Sequence, residues 1–166
     1  MRLRPPTLAD APALFEGYAR DAEVARYMTW RPHRSVRNTQ AYLRRLLQAW
    51  RHGTSQPWVI TAREGGRPFG LIELRPTGHR AEIGYVLGRS WWGRGFMTEA
   101  ARAVVEWGLA RPAIYRVWAV TDVDNTASVR VLEKTGMLRE GRLRAWLIHP
   151  SLSLEPRDCW CYARVR

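Results

Sequence analysis

Two glycines one residue apart, Gly93 and Gly95, mark the point where the pattern of the chain changes from strand to helix. Before them, residues 82–87 form a short apolar run bounded by Gly88, which reads as a strand. After them, Met97, Ala100, Ala101, Val104, Val105 and Gly108 recur at helical spacing. Glycines at such a handover let the backbone approach a ligand without Cβ interference. The unpaired N–H groups of a helix start, with the positive end of its dipole behind them, suit an anion. The stretch Ser90-Trp91-Trp92-Gly93-Arg94-Gly95 is therefore a candidate phosphate cradle. It is not a P-loop, since no Gly-Lys-Ser/Thr follows the glycines. Nor is it a dinucleotide fingerprint, because Thr98 stands where a third glycine is needed.

The other elements follow from periodicity and turn residues. Residues 1–6 read as a short opening strand. Thr7 and Asp10 form an imperfect capping box for a first helix, with Leu14, Phe15 and Tyr18 on one face and Pro12 tolerable only in its first turn. Residues 24–34 are an aromatic-rich loop. Ser35 caps a second helix with the stripe Val36, Tyr42, Leu43, Leu46, Leu47 and Trp50, ended by Gly53. Runs 58–63, 68–74 and 81–87 then read as an antiparallel meander, turned by Gly65-Gly66 and by Pro76-Thr77-Gly78. A strand at 114–120 follows the post-glycine helix, and a strand–helix–strand crossover makes it parallel to 81–87. Asp124 or Asn125 caps a further helix that packs Val129 and Leu132 and ends at Gly136. Runs 137–148 and 156–165 are the last two strands.

Composition narrows the function. A length of 166 residues suits one domain, spanning 1–166. No apolar run approaches the roughly 20 residues of a membrane span. The opening MRLRPPTLAD lacks the apolar core of a signal peptide, so the expected location is cytoplasmic. The net charge of +12 points to an anionic ligand, and nucleic acid is one class to weigh. Lys134 is the sole lysine among 27 basic residues, and no dense basic run or aromatic–basic repeat appears, which disfavours nucleic acid as the main ligand. Cys159 and Cys161 would share one face of a strand, a spacing that suits neither metal nor disulfide. None of the four histidines has a metal or triad spacing; His33, His79 and His149 read as loop-end residues without a role, and no metal is expected.

A second motif adds specificity. Asn125-x-x-Ser128 with Glu133-Lys134-x-Gly136-Met137 lies about thirty residues after Glu82-Ile83-Gly84-Tyr85 and Trp92-Gly93-Arg94-Gly95-Phe96 with Thr98-Glu99-Ala100. Together these residues resemble the GNAT superfamily of acetyl-CoA-dependent N-acetyltransferases, in particular its Rim-type, ribosomal-protein N-terminal branch. The likeness covers nearly the whole chain and is weakest before residue 55. It implies the GNAT fold, a mixed and mostly antiparallel α/β sheet whose central parallel pair splays around CoA.

The resemblance also implies roles. Acetyl-CoA would be the acetyl donor, its pyrophosphate held by the backbone of Gly93, Arg94, Gly95, Phe96, Met97 and Thr98 beside Trp92. Arg89 and Arg94 are candidate charge partners for its phosphates. Pantetheine would lie along Tyr85, Val86 and Leu87, with a backbone N–H near Val86 or Leu87 meeting the developing oxyanion. Asn125 would hold the pantetheine amides. Glu82 is the candidate base, through water, with Glu73 in reserve. Many relatives carry a tyrosine acid at the position that is Leu132 here; Ser128 would hydrogen-bond the leaving sulfur instead, and Tyr85, Tyr115 and Tyr162 are other hydroxyls to consider. Tyr27, Met28, Trp30 and Trp146 would line the acceptor site with Glu82. The expected reaction is acetylation of a primary amine, either a protein N-terminal α-amine or a small molecule. A silent CoA-binding regulatory module and a basic nucleic-acid-binding domain are the competing readings. Nine tryptophans leave room for an apolar homodimer surface.

Overall fold

Period-two alternation along the central strands sends side chains to two cores. On one face, Ile72, Leu74, Ala81 and Ile83 pack with Met97, Ala100, Ala101, Val104 and Val105. On the other, Val59, Leu71 and Val86 pack with Ala11, Leu14, Tyr18, Leu43 and Leu46. Helices therefore cover both faces of one sheet. The computed structural model describes residues 1–62 and 66–166. The elements are β1 Arg2–Arg4, α1 Ala11–Leu14, α2 Ala22–Ala25, α3 Val36–Arg51, β2 Gln56–Thr61, β3 Gly70–Thr77, β4 Arg80–Leu87, α4 Phe96–Leu109, β5 Arg116–Asp122, α5 Thr126–Lys134, β6 Leu138–Leu147 and β7 Arg157–Val165. The seven strands lie in the order β1-β2-β3-β4-β5-β7-β6. All neighbours are antiparallel except β4 and β5, which run parallel. This is the mixed sheet that the sequence implied.

Local signals place most of the ends. The Thr7–Asp10 capping box forms, and Pro12 sits in the first turn of α1, where its missing N–H is harmless. Ser35 and Asn38 make a second box at α3. Asn125, not Asp124, caps α5: its side-chain oxygen accepts from the Ser128 N–H at 3.2 Å. Gly136 closes that helix with φ 78°. All six apolar positions expected for α4 are buried.

Some boundaries move. β3 runs on through Pro76 to Thr77, because β2 ends opposite Leu74 and no strand there needs the missing donor of Pro76. β5 begins two residues later than expected, since Ile114 and Tyr115 are used in a turn that donates to Arg111 and His79. Just before the aromatic loop Asp21 accepts from the Glu23 N–H and caps the short α2, which takes in the loop's first two residues. Gly65, half of the expected hairpin turn, lies outside the described residues. β7 inserts between β5 and β6, leaving β6 at the edge. No helix among the described residues is long and apolar enough to cross a membrane.

The first helix is tied to β1 by a buried carboxylate. Arg4 donates to both oxygens of Asp10, at 2.8 and 2.6 Å, and the Thr7 N–H donates to it at 2.8 Å. Burial pushes the Asp10 pKa up, but these bonds outweigh it and hold the group below the usual carboxylate range. A folded pKa below the unfolded one stabilises above about pH 3.9, and that gain is lost as pH falls through the folded value. Asp10→Asn is expected to lower stability at neutral pH by about 1–3 kcal/mol. Urea unfolding would read this as a lower midpoint, with the deficit shrinking in acid.

Candidate active site

β4 and β5 pair only where Arg80, Ala81 and Glu82 meet Arg116, Val117 and Trp118. Beyond that point β4 stays with β3 as far as Leu87, while β5 follows β7 to Asp122. The strands diverge and leave two free backbone edges. Two cavities meet in the gap. One, of about 600 Å³, runs toward the glycine loop, and the other, of about 300 Å³, toward the loop holding Tyr27, Met28 and Trp30. Tyr27, Met28, Tyr85, Val86, Asn125 and Ser128 line both.

The Tyr85 and Ser128 hydroxyls lie 2.8 Å apart at this seam. Burial pushes the Tyr85 pKa well above the ordinary phenol value, the bond with Ser128 opposing it only in part. Both groups therefore keep their protons at neutral pH. One hydrogen serves the bond between them and the other remains for a third atom. Leu132 is wholly buried in the core. Tyr162 donates to Glu133 at 3.1 Å, and Tyr115 is exposed under Arg166. Of the three alternative tyrosines, only Tyr85 reaches the gap.

Two consecutive indoles hold the glycine loop on its N-terminal side. Trp91 stacks on Phe69 with ring centroids 3.9 Å apart, and Trp92 Nε1 donates to the Leu87 carbonyl at 2.8 Å. Gly93 and Gly95 take left-handed φ values of 73° and 81°. Gly95 caps α4 without a side-chain hydrogen bond, so the first N–H groups of that helix are unclaimed. Gly93, Gly95, Phe96, Met97 and Thr98 all line the larger cavity, as does Trp92. Arg89 instead pairs with Asp21 at 3.3 Å, and Arg94 lies over the Trp91 ring. The basic residues on the cavity wall are Arg26, Arg130 and Lys134. Arg130 and Lys134 stand four apart on α5, a spacing readable in the sequence; Arg26 carried no such signal.

Backbone alternation separates Val86 from Leu87. The Gly88 N–H donates to the Phe69 carbonyl, on the β3 side. Leu87 and Tyr85 therefore face the gap and Val86 faces β3. The bond from Trp92 to the Leu87 carbonyl agrees with this orientation.

The smaller cavity holds an ionic triad. Arg75 Nη1 is 3.0 Å from Glu73 and Nη2 is 3.0 Å from Glu82. Ser55 donates to the other Glu73 oxygen at 2.6 Å. The guanidinium lies across Gly84, where a Cβ would come within 3.0 Å of both terminal nitrogens. Met28 and Trp30 line this cavity with Glu82; Trp146 does not and is half exposed, while Leu147 faces in. The cause is a register shift between Leu143 and Leu147, with Ala145 at φ 48°, which re-aims the strand. His149, expected to have no role, is buried on the same wall, its Nε2 3.5 Å from Asp122. Asp122 is buried too and accepts from Arg157 at 2.6 and 3.1 Å.

A helix start with unclaimed N–H groups and a pocket lined by an ionic triad thus meet between splayed strands. Residues 1–138 match the Acetyltransferase (GNAT) domain. The chain is 31% identical over 149 residues to an uncharacterized N-acetyltransferase, p20, of Bacillus licheniformis, covering 87% of this chain and 82% of that one. It shares its fold with a GNAT-family acetyltransferase of Bacillus anthracis, at TM-score 0.82 and 25% identity over 98% of this chain and 93% of the other. RimL, a ribosomal L7/L12 alpha-N-protein acetyltransferase solved with coenzyme A, matches in fold at TM-score 0.84 and 22% identity, over 98% and 92% of the two chains. The chain belongs to the GNAT acetyltransferase family. It is an acyltransferase, and acetyl-CoA is its co-substrate.

No protein atom lies within 4 Å of a Cβ built on Gly95, so a side chain there would point into open space. Its left-handed backbone costs a β-branched residue about 1–2 kcal/mol. Gly95→Val should leave a folded protein whose CoA affinity, read by calorimetry, falls by about tenfold or more. Unchanged affinity would remove the loop from the CoA site.

Proposed function

We propose that this chain transfers the acetyl group of acetyl-CoA to a primary amine by direct attack within a ternary complex, with CoA in the larger cavity and the amine in the smaller. The observation that carries this reading is the Tyr85–Ser128 pair, set where the two cavities join. The pyrophosphate rests on the backbone N–H groups of residues 93–98, with Arg26, Arg130 and Lys134 as charge partners. Pantetheine follows the free edge at Tyr85 and Leu87. Asn125 already uses its oxygen as a helix cap, so its amide NH₂ is the part left to bind it.

The chemistry runs from the smaller cavity to the larger. The amine arrives as an ammonium ion and gives up a proton to water, which passes it to Glu82. Arg75 engages one oxygen of that carboxylate, which favours a relay over direct contact. The amine nitrogen attacks the thioester carbon, and the Leu87 N–H receives the oxyanion. Collapse breaks the C–S bond; the Ser128 hydroxyl, itself held by Tyr85, hydrogen-bonds the departing sulfur, which takes the second proton that the amine nitrogen sheds as the amide forms. The amide and the CoA thiol leave. Leu132 offers no acid, so the Tyr85–Ser128 pair supports the active reading over a silent CoA-binding module.

The acceptor is either a protein N-terminal α-amine, as for RimL, or a small-molecule amine. Under the same reading residues 1–166 work as one domain in the cytoplasm, where acetyl-CoA is available. The exposed Leu138, Ile148 and Leu154 support self-association.

The test is thiol release from acetyl-CoA across a panel of amines and short peptides. Ser128→Ala and Tyr85→Phe should each lower kcat by about tenfold while CoA affinity holds. Glu82→Gln should lower turnover by about a hundredfold. Wild-type turnover in Glu82→Gln would exclude Glu82 as the base. CoA binding without thiol release from any amine would favour the silent module.

A further inference from the structure

The smaller cavity has a charge balance that acetyl transfer alone does not require. Two carboxylates, Glu73 and Glu82, face a single guanidinium, Arg75. Each terminal nitrogen of Arg75 is spent on one of them, at 3.0 Å. Asp122 also reaches this cavity, but Arg157 donates to both of its oxygens; Arg157 pairs in addition with Asp124, which lies outside this cavity. His149 adds no charge at neutral pH, because burial holds its pKa below the ordinary histidine range against the pull of Asp122. The sum is one uncompensated negative charge. Glu82 carries it toward the cavity, with 29% of its side chain exposed against 13% for Glu73.

His149 gives a second, independent sign of a ligand. It is 2% exposed on the cavity wall; Asp122 lies 3.5 Å from its Nε2 and the Tyr27 and Met28 backbone is close by, but neither ring nitrogen completes a well-aligned hydrogen bond among the described residues. A buried polar group left open in this way marks where a polar atom of a ligand or its water belongs. The rest of the wall mixes apolar groups, Met28, Trp30, Leu71 and Ile83, with uncharged polar side chains that include Tyr42, Thr121 and Asn125.

We infer that the acceptor is a monocation, with one ammonium group on an apolar or aromatic body and no carboxylate. The inference rests on the transfer reading above and deepens it. One ammonium beside Glu82 brings the cavity to neutrality. A second, as in a polyamine, would be stripped of water against Met28 and Trp30 with no carboxylate left to meet it. The carboxylate of a free amino acid would find the single charge of Arg75 already shared by two carboxylates and would add a second uncompensated negative charge. The overall charge of +12 also repels polycations. Two sources share the favoured chemistry: a free monoamine, and the α-amine of a peptide with an apolar first residue.

Thiol release from acetyl-CoA should be compared for phenethylamine, a phenylalanyl peptide amide, phenylalanine and spermidine. The two monocations should exceed phenylalanine and spermidine in kcat/KM by about tenfold or more. Phenethylamine as the best acceptor would assign a small monoamine, and the peptide amide a peptide N-terminus; either supports the inference. Arg75→Met takes the cavity from one uncompensated negative charge to two. It should raise the spermidine-to-phenethylamine ratio by about tenfold, with CoA affinity by calorimetry unchanged. A leading rate for spermidine or phenylalanine in the wild-type protein would overturn the monocation while leaving acetyl transfer in place. An unchanged ratio in folded Arg75→Met would overturn the charge argument. CoA binding without thiol release from any of the four would overturn the transfer reading, and the acceptor class with it.

Discussion

The parallel ladder between β4 and β5 stops after three residue pairs, and the site follows from that stop. Backbone N–H and C=O groups buried without partners are costly, so a sheet opens only where something else will satisfy them. Here each strand keeps a full antiparallel ladder on its far edge, β4 with β3 and β5 with β7. The strands can therefore part without losing their place. One freed carbonyl, that of Leu87, is taken by the Trp92 indole. The rest of the edge is left for the ligand. α4, which bridges the two strands, starts at the wide end of the gap and brings its unclaimed N–H groups there.

Arginine chemistry shapes the interior as much as the surface. The buried or half-buried carboxylates Asp10, Asp122 and Glu73 each meet a guanidinium, from Arg4, Arg157 and Arg75. The planar fork of arginine suits such sites better than the point charge of lysine. Other arginines lie over aromatic rings: Arg111 on Trp107, Arg139 on Trp160 and Arg166 on Tyr115. Much of the excess of basic residues is thus engaged within the protein. A net charge that invites a nucleic-acid reading from composition is, in the structure, partly internal pairing and partly stacking. The smaller cavity itself is lined by more carboxylates than guanidinium groups.

Several particular side chains show where reading from sequence stops. Arg89 and Arg94 stand beside the glycines in sequence, yet one turns to Asp21 and the other to Trp91. Trp146 and Leu147 are neighbours, and a bulge decides that the leucine faces the cavity. His149 has no motif around it; only packing against Asp122 and Tyr27 brings it to the wall of the smaller cavity. Tyr85 and Ser128 were each nameable, but their bond spans 43 positions.

What the sequence determined by itself was local. The glycine turn, the capping boxes at Thr7 and Ser35, the buried face of α4 and the parallel crossover all depend on residues within a few turns of one another. Short-range sterics and periodicity are enough to set them. Tertiary structure alone decided the strand order that slips β7 between β5 and β6. It also decided the length of the β4–β5 ladder, the clamp of Glu73 and Glu82 on Arg75, and the meeting of two cavities at Tyr85 and Ser128. Those features join segments far apart in the chain. Their register is chosen by which buried groups can be packed and paired together, and no local pattern records that choice.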